Sequence, residues 1–175
     1  VPAEAGFTAI AAGLESAYAL RADGTIAAWG LDSSGEVSGA PAGGGFTAIA
    51  AGNGIAYALR SDGTIAAWGN NLYGAVSDAP GESGFTVIAA GSFTAYALRS
   101  DGSIVAWGRD TYGEVSDVPR GTYAALAAGN LSVYALRSGS ASEAVPEPGH
   151  LSLIALGALA LSRLSRLSLE ARRNR

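Results

Sequence analysis

The chain has 175 residues, of which 49% are hydrophobic and 25 are glycine, and this apolar content is enough for one packed domain. It contains no cysteine, which excludes disulfides and thiolate zinc sites. Its single histidine leaves little material for a histidine-based metal site or catalytic triad. Residues 1–144 carry a net charge of −7, whereas residues 145–175 carry +3. The acidic body argues against a nucleic-acid partner, which needs a basic face.

Four repeated units, which begin at Phe7, Phe46, Phe85 and Tyr123, organise the chain as far as residue 137. Each unit opens with an aromatic residue, reaches Ala-Ala-Gly and continues into Tyr-Ala-Leu-Arg. The first three units go on through Asp-Gly and Trp-Gly, whereas the fourth does not. A fixed period of this length is typical of a repeat architecture. We therefore predict a repeat domain over 1–137, a small-residue linker over 138–144 and a separate tail over 145–175.

Each Asp-Gly lies between two apolar runs and predicts a β-hairpin. A two-residue loop would place Tyr57 opposite Trp68 on one bulky face of the sheet, whereas a bulged three-residue loop would shift this register by one. The period predicts four short strands per unit. Because a bulky face packs well on a small one, we expect the units to stack. A radial stack is a β-propeller, and an open stack or solenoid fits the same pattern.

The second unit reads Phe-Thr-Ala-Ile-Ala-Ala-Gly and then Tyr-Ala-Leu-Arg-Ser-Asp-Gly-Thr-Ile-Ala-Ala-Trp-Gly-Asn-Asn-Leu-Tyr-Gly. This pattern resembles the repeat of the regulator of chromosome condensation (RCC1) family in its bacterial form. The resemblance runs from Phe7 to about Ser138 and implies an all-β propeller that has seven blades when complete. Here it implies a partial ring of about three and a half four-stranded blades, so we expect further repeats before Val1. The family's loop histidine is replaced by Ser16, Ile55, Thr94 and Ser132.

The tail resembles the PEP-CTERM sorting signal of Gram-negative bacteria that produce exopolysaccharide. It contains a processing motif, an apolar membrane segment and a basic end, in that order. These parts comprise Val145, Pro146, Glu147 and Pro148; Leu151, Leu153, Ile154, Leu156, Leu159 and Leu161; and Arg163, Arg166, Arg172, Arg173 and Arg175. The resemblance implies export, a C-terminal apolar helix that holds the chain transiently in the inner membrane, and processing by an exosortase.

The apolar segment of the tail is short for a membrane span. The run 151–161 has 11 residues, whereas a full helical span needs about 20. The early arginines could snorkel to the membrane surface, and the basic residues would keep this end on the cytoplasmic side. The leucine spacing also suits an amphipathic helix that lies in the membrane interface.

The charged and aromatic residues that recur in every unit are interpreted as scaffold. The aspartate of each Asp-Gly fits hairpin-turn geometry better than acid–base chemistry or calcium binding. The arginine of Tyr-Ala-Leu-Arg fits a structural ion pair or hydrogen bond better than an anion site. The tryptophans fit packing between blades better than a sugar site. The sequence therefore predicts no catalytic residue, no metal site and no cofactor.

Positions that differ among the units are the better candidates for function, since scaffold positions must be alike. They fall in two sets of loops, where related propellers bind protein. The candidate partner-binding residues are Asn53, Phe93, Tyr73, Tyr112, Asn70 and Asn71. The three aromatic residues are the expected anchors, because aromatic side chains supply much of the energy of protein interfaces.

These features together predict an exported, surface-sorted and non-catalytic binding or structural propeller. We expect it in the cell envelope, on the outer surface or in the exopolysaccharide matrix of a Gram-negative bacterium, with a protein or polysaccharide ligand. One alternative is an inhibitor-like binder of an extracytoplasmic enzyme. Another is a polysaccharide-modifying enzyme whose site lies in a missing N-terminal half.

Overall fold

A computed structural model of the chain describes residues 6–138. The regular structure of this part consists of eleven strands and one short 3-10 helix at Leu72–Gly74. The strands are β1 (Phe7–Ala12), β2 (Ser16–Arg21), β3 (Ile26–Gly30), β4 (Phe46–Ala51), β5 (Ile55–Arg60), β6 (Ile65–Gly69), β7 (Phe85–Ala90), β8 (Thr94–Arg99), β9 (Ile104–Gly108), β10 (Tyr123–Ala128) and β11 (Val133–Arg137). The sorting motif, the apolar segment with its helix and the basic end all lie outside the described residues, so they stay predictions.

Each of the first three units forms one antiparallel sheet, in the order β1-β2-β3, β4-β5-β6 and β7-β8-β9, and the fourth unit forms the hairpin β10-β11. We call these sheets blades 1 to 3 and the hairpin the half-blade. The prediction of an all-β partial propeller is confirmed. The strand count differs from the prediction, since each described blade has three strands instead of four. The segments 31–45, 70–84 and 109–122, which follow the third strand of each blade, form no strand and consist of turns, loops and the 3-10 helix.

Side-chain capping explains why no fourth strand forms. In blade 1, Oδ1 of Asp32 accepts hydrogen bonds from the backbone N–H groups of Val37 and Ser38, both at 2.9 Å. Asn71 and Asp110 cap the corresponding turns of blades 2 and 3 in the same way. A side chain that takes up backbone donors competes with strand pairing. The proline near the end of each segment also has no N–H to give to a ladder.

The Asp-Gly hairpins have three-residue loops. In blade 2, the N–H of Gly63 donates to the Arg60 carbonyl at 3.0 Å, and the N–H of Arg60 donates to the Thr64 carbonyl at 2.9 Å. This is a type I turn that closes with a bulge at Gly63, whose φ of 81° suits glycine. Oδ1 of Asp62 accepts from both the N–H and the hydroxyl of Thr64, at 2.9 and 2.7 Å. The aspartate therefore serves turn geometry, as the sequence indicated.

The longer loop shifts the strand register by one residue and overturns the pairing that a two-residue loop predicts. Ala56 lies opposite Trp68, and Tyr57 lies opposite Ala67. Because residues directly opposite share a face and neighbours alternate, Tyr57 and Trp68 point to opposite faces of their blade. Each blade therefore presents its tyrosine to one neighbouring blade and its tryptophan to the other.

The tyrosine of one blade and the tryptophan of the next blade meet edge to face. Tyr18 and Trp68 have ring centroids 5.4 Å apart at an interplanar angle of 83°. Tyr57 and Trp107 repeat this geometry at 5.4 Å and 87°. Such T-shaped pairs are a favoured arrangement of aromatic quadrupoles. The interpretation that tryptophan packs between blades is therefore correct for Trp68 and Trp107.

A single backbone carbonyl accepts hydrogen bonds from both members of each aromatic pair. The Ala75 carbonyl receives the Tyr57 hydroxyl at 2.7 Å and the Trp107 indole N–H at 3.1 Å. The Glu36 carbonyl receives Tyr18 and Trp68, both at 2.9 Å. Burial raises the pKa of Tyr57, so its hydroxyl remains a donor at neutral pH. We call each such group a shared carbonyl.

The arginines of Tyr-Ala-Leu-Arg find aromatic partners. The guanidinium carbon of Arg60 lies 4.5 Å from the centroid of the Phe46 ring, which opens the same unit. Arg21 over Phe7 and Arg99 over Phe85 are similar, at 5.5 and 5.4 Å. A recurring cation–π contact thus joins the ends of the first two strands. Of the ion pairs expected here, Arg99 makes one with Glu82 at 2.6 Å.

The substitution Tyr57→Phe tests the shared carbonyl. It removes one hydroxyl from a fully buried ring, and we expect it to lower the free energy of unfolding by about 1 kcal/mol, the usual net value of a hydrogen bond. Tyr134→Phe is the matched control at the same repeat position, because Tyr134 is 56% exposed. Chemical denaturation of both variants measures the difference. Equal stability of the two would contradict a role for this hydrogen bond.

The acid caps predict a specific pH dependence. Hydrogen bonds from Ser38 and Val37 hold the pKa of Asp32 below its usual value, and Ser116 and Val115 do the same for Asp110. Since these pKa values are depressed in the folded state, their stabilisation is present above about pH 4, the ordinary aspartate range, and is lost as the pH falls through the folded values. We therefore expect the denaturant concentration at the unfolding midpoint to decrease as the pH is lowered below about 4.

Asn71, the natural neutral cap of blade 2, suggests the control for this prediction. The double variant Asp32→Asn, Asp110→Asn should retain the wild-type midpoint at pH 7 and lose less stability between pH 4 and pH 2. Replacement of both residues by alanine should lower the midpoint at every pH, because no acceptor remains. Identical acid profiles for the wild type and the asparagine variant would refute this account.

Candidate functional site: the loop face

Both sets of variable loops lie at the same end of the blades. Backbone hydrogen bonds join each loop after the third strand to the loop between the first two strands. Leu31 donates to Glu15 at 2.8 Å, Asn70 to Gly54 at 2.7 Å and Arg109 to Phe93 at 2.9 Å. We call this end, which comprises residues 13–15, 31–38, 52–54, 70–78, 91–93, 109–117 and 129–132, the loop face. The Asp-Gly turns lie at the opposite end of the strands.

The loops between the first two strands of each blade, which we call the inner loops, approach one another closely at their glycine residues. A Cβ atom at Gly13 would lie 2.5 Å from the carbonyl oxygen of Gly52, and one at Gly52 would overlap the carbonyl of Gly91. Asn53 also donates its N–H to the Ser92 carbonyl at 2.8 Å. The glycine of Ala-Ala-Gly therefore allows the inner strands to approach closely, and it fixes the spacing of the loops above them.

Three of the predicted residues come together with an arginine on blades 2 and 3. The rings of Tyr73 and Phe93 pack at 5.7 Å between centroids and an angle of 66°. The guanidinium of Arg109 lies 5.7 Å from the Phe93 centroid and 5.9 Å from that of Tyr112. We call these four residues the aromatic loop cluster. Tyr73 and Tyr112 are 51% and 74% exposed. The cluster therefore presents exposed aromatic rings next to the guanidinium of Arg109.

Glu114 holds the cationic centre of the cluster in place. Its Oε1 accepts from Nε of Arg109 at 3.0 Å and lies 2.9 Å from Nη2. Its Oε2 accepts the N–H of Tyr112 at 2.7 Å. The Tyr112 hydrogen bond first, and then Arg109, hold the pKa of Glu114 below its usual value, so the carboxylate is charged at neutral pH. One buried carboxylate thus positions both the guanidinium and the backbone that carries Tyr112.

Tyr73 reaches Phe93 because its loop folds differently from the loops of blades 1 and 3. In those blades Glu36 and Glu114 accept the N–H of Ser34 and Tyr112. Blade 2 has Ala75 at the corresponding position, so no carboxylate ties down the N–H of Tyr73. Tyr73 adopts φ 60° and ψ 25° and is the one non-glycine residue with positive φ in the described part of the chain. Such strained backbone clusters at functional positions in proteins.

The three predicted asparagines do not join the cluster. Oδ1 of Asn70 accepts the N–H of Leu72 at 2.9 Å, and Asn71 forms the cap described above. Asn53 and Asn70 line a cavity of about 130 Å³ near Glu36, and Asn53 also borders a wider recess of about 320 Å³ formed by the inner loops. Asn70 and Asn71 therefore shape their loop, and Asn53 and Asn70 also line a cavity outside the cluster.

The described residues contain little material for catalysis. Within residues 6–138, no group of three or more histidine, cysteine, aspartate or glutamate side chains is placed to hold a metal ion. Over the same residues no helix has the length and apolar character needed to cross a bilayer. The two buried glutamates on the loop face accept backbone hydrogen bonds.

The loop face is acidic outside the cluster. The outer loops 31–38, 70–78 and 109–117 contain six acidic residues and one arginine. The acidic residues are Asp32, Glu36, Asp78, Asp110, Glu114 and Asp117. Glu36 and Glu114 are buried, whereas the four aspartates are exposed, so the exposed charge around the aromatic rings is negative.

Sequence reasoning missed Arg109 and Glu114. Arg109 lies in a variable loop beside the predicted Tyr112, and Glu114 lies in the Gly-Glu/Ala-Val-Ser segment that recurs in each full unit. A usable signal was present: Arg109 is the one basic residue of the outer loops, and Glu114 follows it by five residues. The alignment of Glu36, Ala75 and Glu114 across the units also marked the loop of blade 2 as different.

The comparisons with known proteins agree with this architecture. The model of the regulator of chromosome condensation (RCC1) repeat matches residues 46–75 and 85–114. Each match begins with the first strand of a blade and ends in its outer loop, at Ala75 and at Glu114. No curated protein sequence matches the chain.

Several solved structures are similar to the chain in fold. The ectodomain of the receptor kinase CR4 from Physcomitrella patens is 27% identical with a TM-score of 0.64, and the match covers 75% of this chain and 36% of that one. The ectodomain of ACR4 from Arabidopsis thaliana is 24% identical with a TM-score of 0.60, with coverage of 76% and 46%. Prp20p from Saccharomyces cerevisiae is 20% identical with a TM-score of 0.62, with coverage of 79% and 45%.

The chain therefore spans less than half the length of each of these relatives. Its repeat pattern, its stacked antiparallel blades and these matches lead to one conclusion. Two of its units match the RCC1 repeat, and its described residues form part of an RCC1-like β-propeller.

Proposed function

We propose that this chain is a non-catalytic binding module that is exported, sorted to the cell surface and attached through its loop face to a protein partner in the envelope or exopolysaccharide matrix. The observation that carries the binding function is the aromatic loop cluster. The repeated blades supply a rigid base for it, because the shared carbonyls and the glycine contacts fix the position of each loop relative to the next.

The chemistry of the cluster supports a protein partner. Exposed tyrosines give large contact areas at a low cost in side-chain entropy, and interface hot spots are enriched in tyrosine and arginine. Tyr112 is already fixed at its backbone by Glu114, and Tyr73 is fixed by its contact with Phe93. Since these anchors are positioned before binding, less entropy is lost when the partner docks.

The surrounding charge narrows the class of partner. The outer loops expose four aspartates, Asp32, Asp78, Asp110 and Asp117, so the loop face should attract a basic protein surface and repel nucleic acid or an acidic polymer. Lysine or arginine side chains of the partner could lie over the rings of Tyr73 and Tyr112 and close to Asp78 or Asp117. The proposal therefore favours a protein with a basic patch over an anionic polysaccharide.

The sorting part of the proposal rests on the order of features in the tail. A Pro-Glu-Pro motif, an apolar run and terminal arginines follow one another at the end of the sequence. The prolines favour an extended segment, and the positive end favours retention on the cytoplasmic side. Exosortase is the proposed processing partner.

Substitution of the anchors tests the binding proposal. We expect the double variant Phe93→Ala, Tyr112→Ala to lose at least about tenfold in affinity for the partner, because hot-spot truncations typically cost 2 kcal/mol or more, at about 1.4 kcal/mol per tenfold. Ser61→Ala with Ser100→Ala, at the opposite end of blades 2 and 3, is the matched control. Photo-crosslinkers placed at Tyr112 and at Ser100 in cells of the source organism identify the partner.

A partner captured from Tyr112 and not from Ser100, with affinity reduced by the anchor variant alone, would support the proposal. Equal capture from both positions, or an affinity unchanged by the anchor variant, would overturn it. An increase in affinity at higher salt would contradict the basic character of the partner, since electrostatic attraction weakens with salt.

Deletion of residues 145–175 tests the sorting proposal separately. The truncated chain should still be exported but should be released to the medium, and its display on intact cells, measured by surface labelling, should be lost. Pro146→Ala with Pro148→Ala is the finer variant, because it alters the motif and keeps the apolar run and the arginines. Surface display that survives the loss of the whole tail would exclude the sorting role.

A further inference from the structure

Glu36 is a buried carboxylate that uses one of its two oxygens within the described part of the chain. The residue lies in the outer loop of blade 1 and is 4% exposed. Its Oε2 accepts the N–H of Ser34 at 2.6 Å. Among residues 6–138, no group donates a hydrogen bond to the other oxygen, Oε1. Because a buried carboxylate oxygen without a donor is unfavourable, a donor brought to Oε1 would stabilise it.

This oxygen lies beside the cavity of about 130 Å³ between blades 1 and 2, which Glu36 itself lines. A Cβ atom at Gly54, in the inner loop of blade 2, would lie 3.2 Å from Oε1. The rim residues Leu31 and Ser34 are exposed, so the cavity is reached from the loop face. We call it the Glu36 pocket, and its lining includes Glu36, Ser34 and Leu31 of blade 1 and Asn53, Gly54 and Asn70 of blade 2.

The corresponding space between blades 2 and 3 contains aromatic rings. Tyr73 there takes the position of Ser34, and Phe93 takes the position of Gly54, and the two rings pack on each other. The same interface has Ala75 where blade 1 has Glu36. The interface with the carboxylate therefore has the small residues that leave space beside it, and the interface with the rings has no carboxylate at this position.

Blade 3 shows which group such a carboxylate holds. Glu114 is the counterpart of Glu36, and its Oε1 accepts from Nε of Arg109 at 3.0 Å and lies 2.9 Å from Nη2. The Oε2 atoms of both glutamates accept a backbone N–H, at 2.6 Å in blade 1 and 2.7 Å in blade 3. Blade 1 has Leu31 at the position of Arg109, and leucine has no side-chain donor. The oxygen that binds a guanidinium in blade 3 is therefore the one without a donor in blade 1.

We propose that the Glu36 pocket receives the guanidinium of an arginine side chain from the partner that docks on the loop face. The guanidinium would donate to Oε1 of Glu36 as Arg109 donates to Glu114, in a charge-assisted hydrogen bond. Leu31 would contact the aliphatic part of the arginine, and the Asn53 side chain offers an amide oxygen as a further acceptor. Arginine suits the pocket better than lysine, because its planar group is more weakly hydrated and carries five N–H donors.

The inference rests on the proposed binding function for the source of the arginine, and it narrows the basic patch of the partner to one projecting arginine. The pocket itself is formed by two described blades and lies apart from the aromatic loop cluster. A small guanidinium compound can therefore test the pocket without the partner.

A titration of the full 175-residue chain, followed by nuclear magnetic resonance, gives the first readout. The probe is the arginine derivative with an acetylated amino group and a methylamide, and the corresponding citrulline derivative is its uncharged control of similar shape. We expect saturable shifts of the backbone amides of Ser34 and Gly54 with the arginine probe and none with the citrulline probe.

Two variants that each lose one negative charge make the titration specific. Glu36→Gln keeps an oxygen for the N–H of Ser34 and should raise the dissociation constant of the arginine probe about tenfold or more, because the charge partner is lost. Asp62→Asn is the matched control at the opposite end of blade 2, and it should leave the dissociation constant unchanged.

The variant Leu31→Arg gives a second readout, because it supplies the guanidinium from within the chain. It repeats in blade 1 the residue that pairs with Glu114 in blade 3, and Leu31 is 45% exposed, which leaves room for the longer side chain. We expect the new arginine to pair with Glu36, to shift the denaturant midpoint upward and to abolish binding of the arginine probe. The upward shift should disappear when Glu36→Gln is added.

Equal shifts with the citrulline probe, probe binding that Glu36→Gln leaves unchanged, or a Leu31→Arg chain that still binds the probe would overturn the pocket. The partner captured through Tyr112 separates this inference from the proposed function. If its affinity falls with Phe93→Ala, Tyr112→Ala and not with Glu36→Gln, the binding function stands and the arginine contact is wrong. If its affinity falls with Glu36→Gln and not with the anchor variant, the pocket is supported and the proposed role of the aromatic loop cluster is wrong.

Discussion

The structure depends on one arrangement, a carbonyl oxygen that accepts a tyrosine hydroxyl from its own blade and a tryptophan indole from the next. Ala75 and Glu36 supply this oxygen in the two interfaces of the described blades where a tryptophan is present. The arrangement satisfies both buried polar atoms that an aromatic interface would otherwise leave without a partner. It also fixes the distance between neighbouring blades and their relative rotation. In addition, it holds in place the outer loop that carries the carbonyl.

This constraint explains which residues recur. The tyrosine, the tryptophan, the Asp-Gly turn and the inner glycine all take part in one geometry, so a change in any of them would disturb both neighbouring blades. The other residues of the outer loops take no part in this arrangement, so their identities are less restricted. Glu114 accepts hydrogen bonds from Arg109 and Tyr112 and holds both in place. Ala75 cannot accept such a bond from its side chain, and Tyr73 packs on Phe93 instead. The variety of the loop face is thus possible because the carbonyl beneath it does not vary.

Much of the fold could be predicted from the sequence, because repetition fixes the hairpins and their stacking. The register could not, because Asp-Gly is compatible with loops of two and three residues, and the choice depends on how Arg60 bonds to Gly63 and Thr64. That one-residue shift moved Trp68 to the face opposite Tyr57 and created the edge-to-face pairs. No fourth strand forms because Asp32, Asn71 and Asp110 take the backbone donors that a strand would use. These residues recur at the repeat period, but the sequence does not show which backbone groups their side chains bind.

The candidate site was predictable only in its anchors. Phe93, Tyr73 and Tyr112 could be predicted because they are aromatic residues in loops that vary among the units, and such variation is visible in a repeat. The sequence did not show that these side chains come together. Their contacts depend on the ion pair between Arg109 and Glu114 and on the absence of a carboxylate at Ala75. A single methyl group in place of a carboxylate changes the backbone of a neighbouring residue and, through it, the shape of the surface. The shape of the loop face can therefore change by substitution at a buried loop position that is not itself exposed on that face.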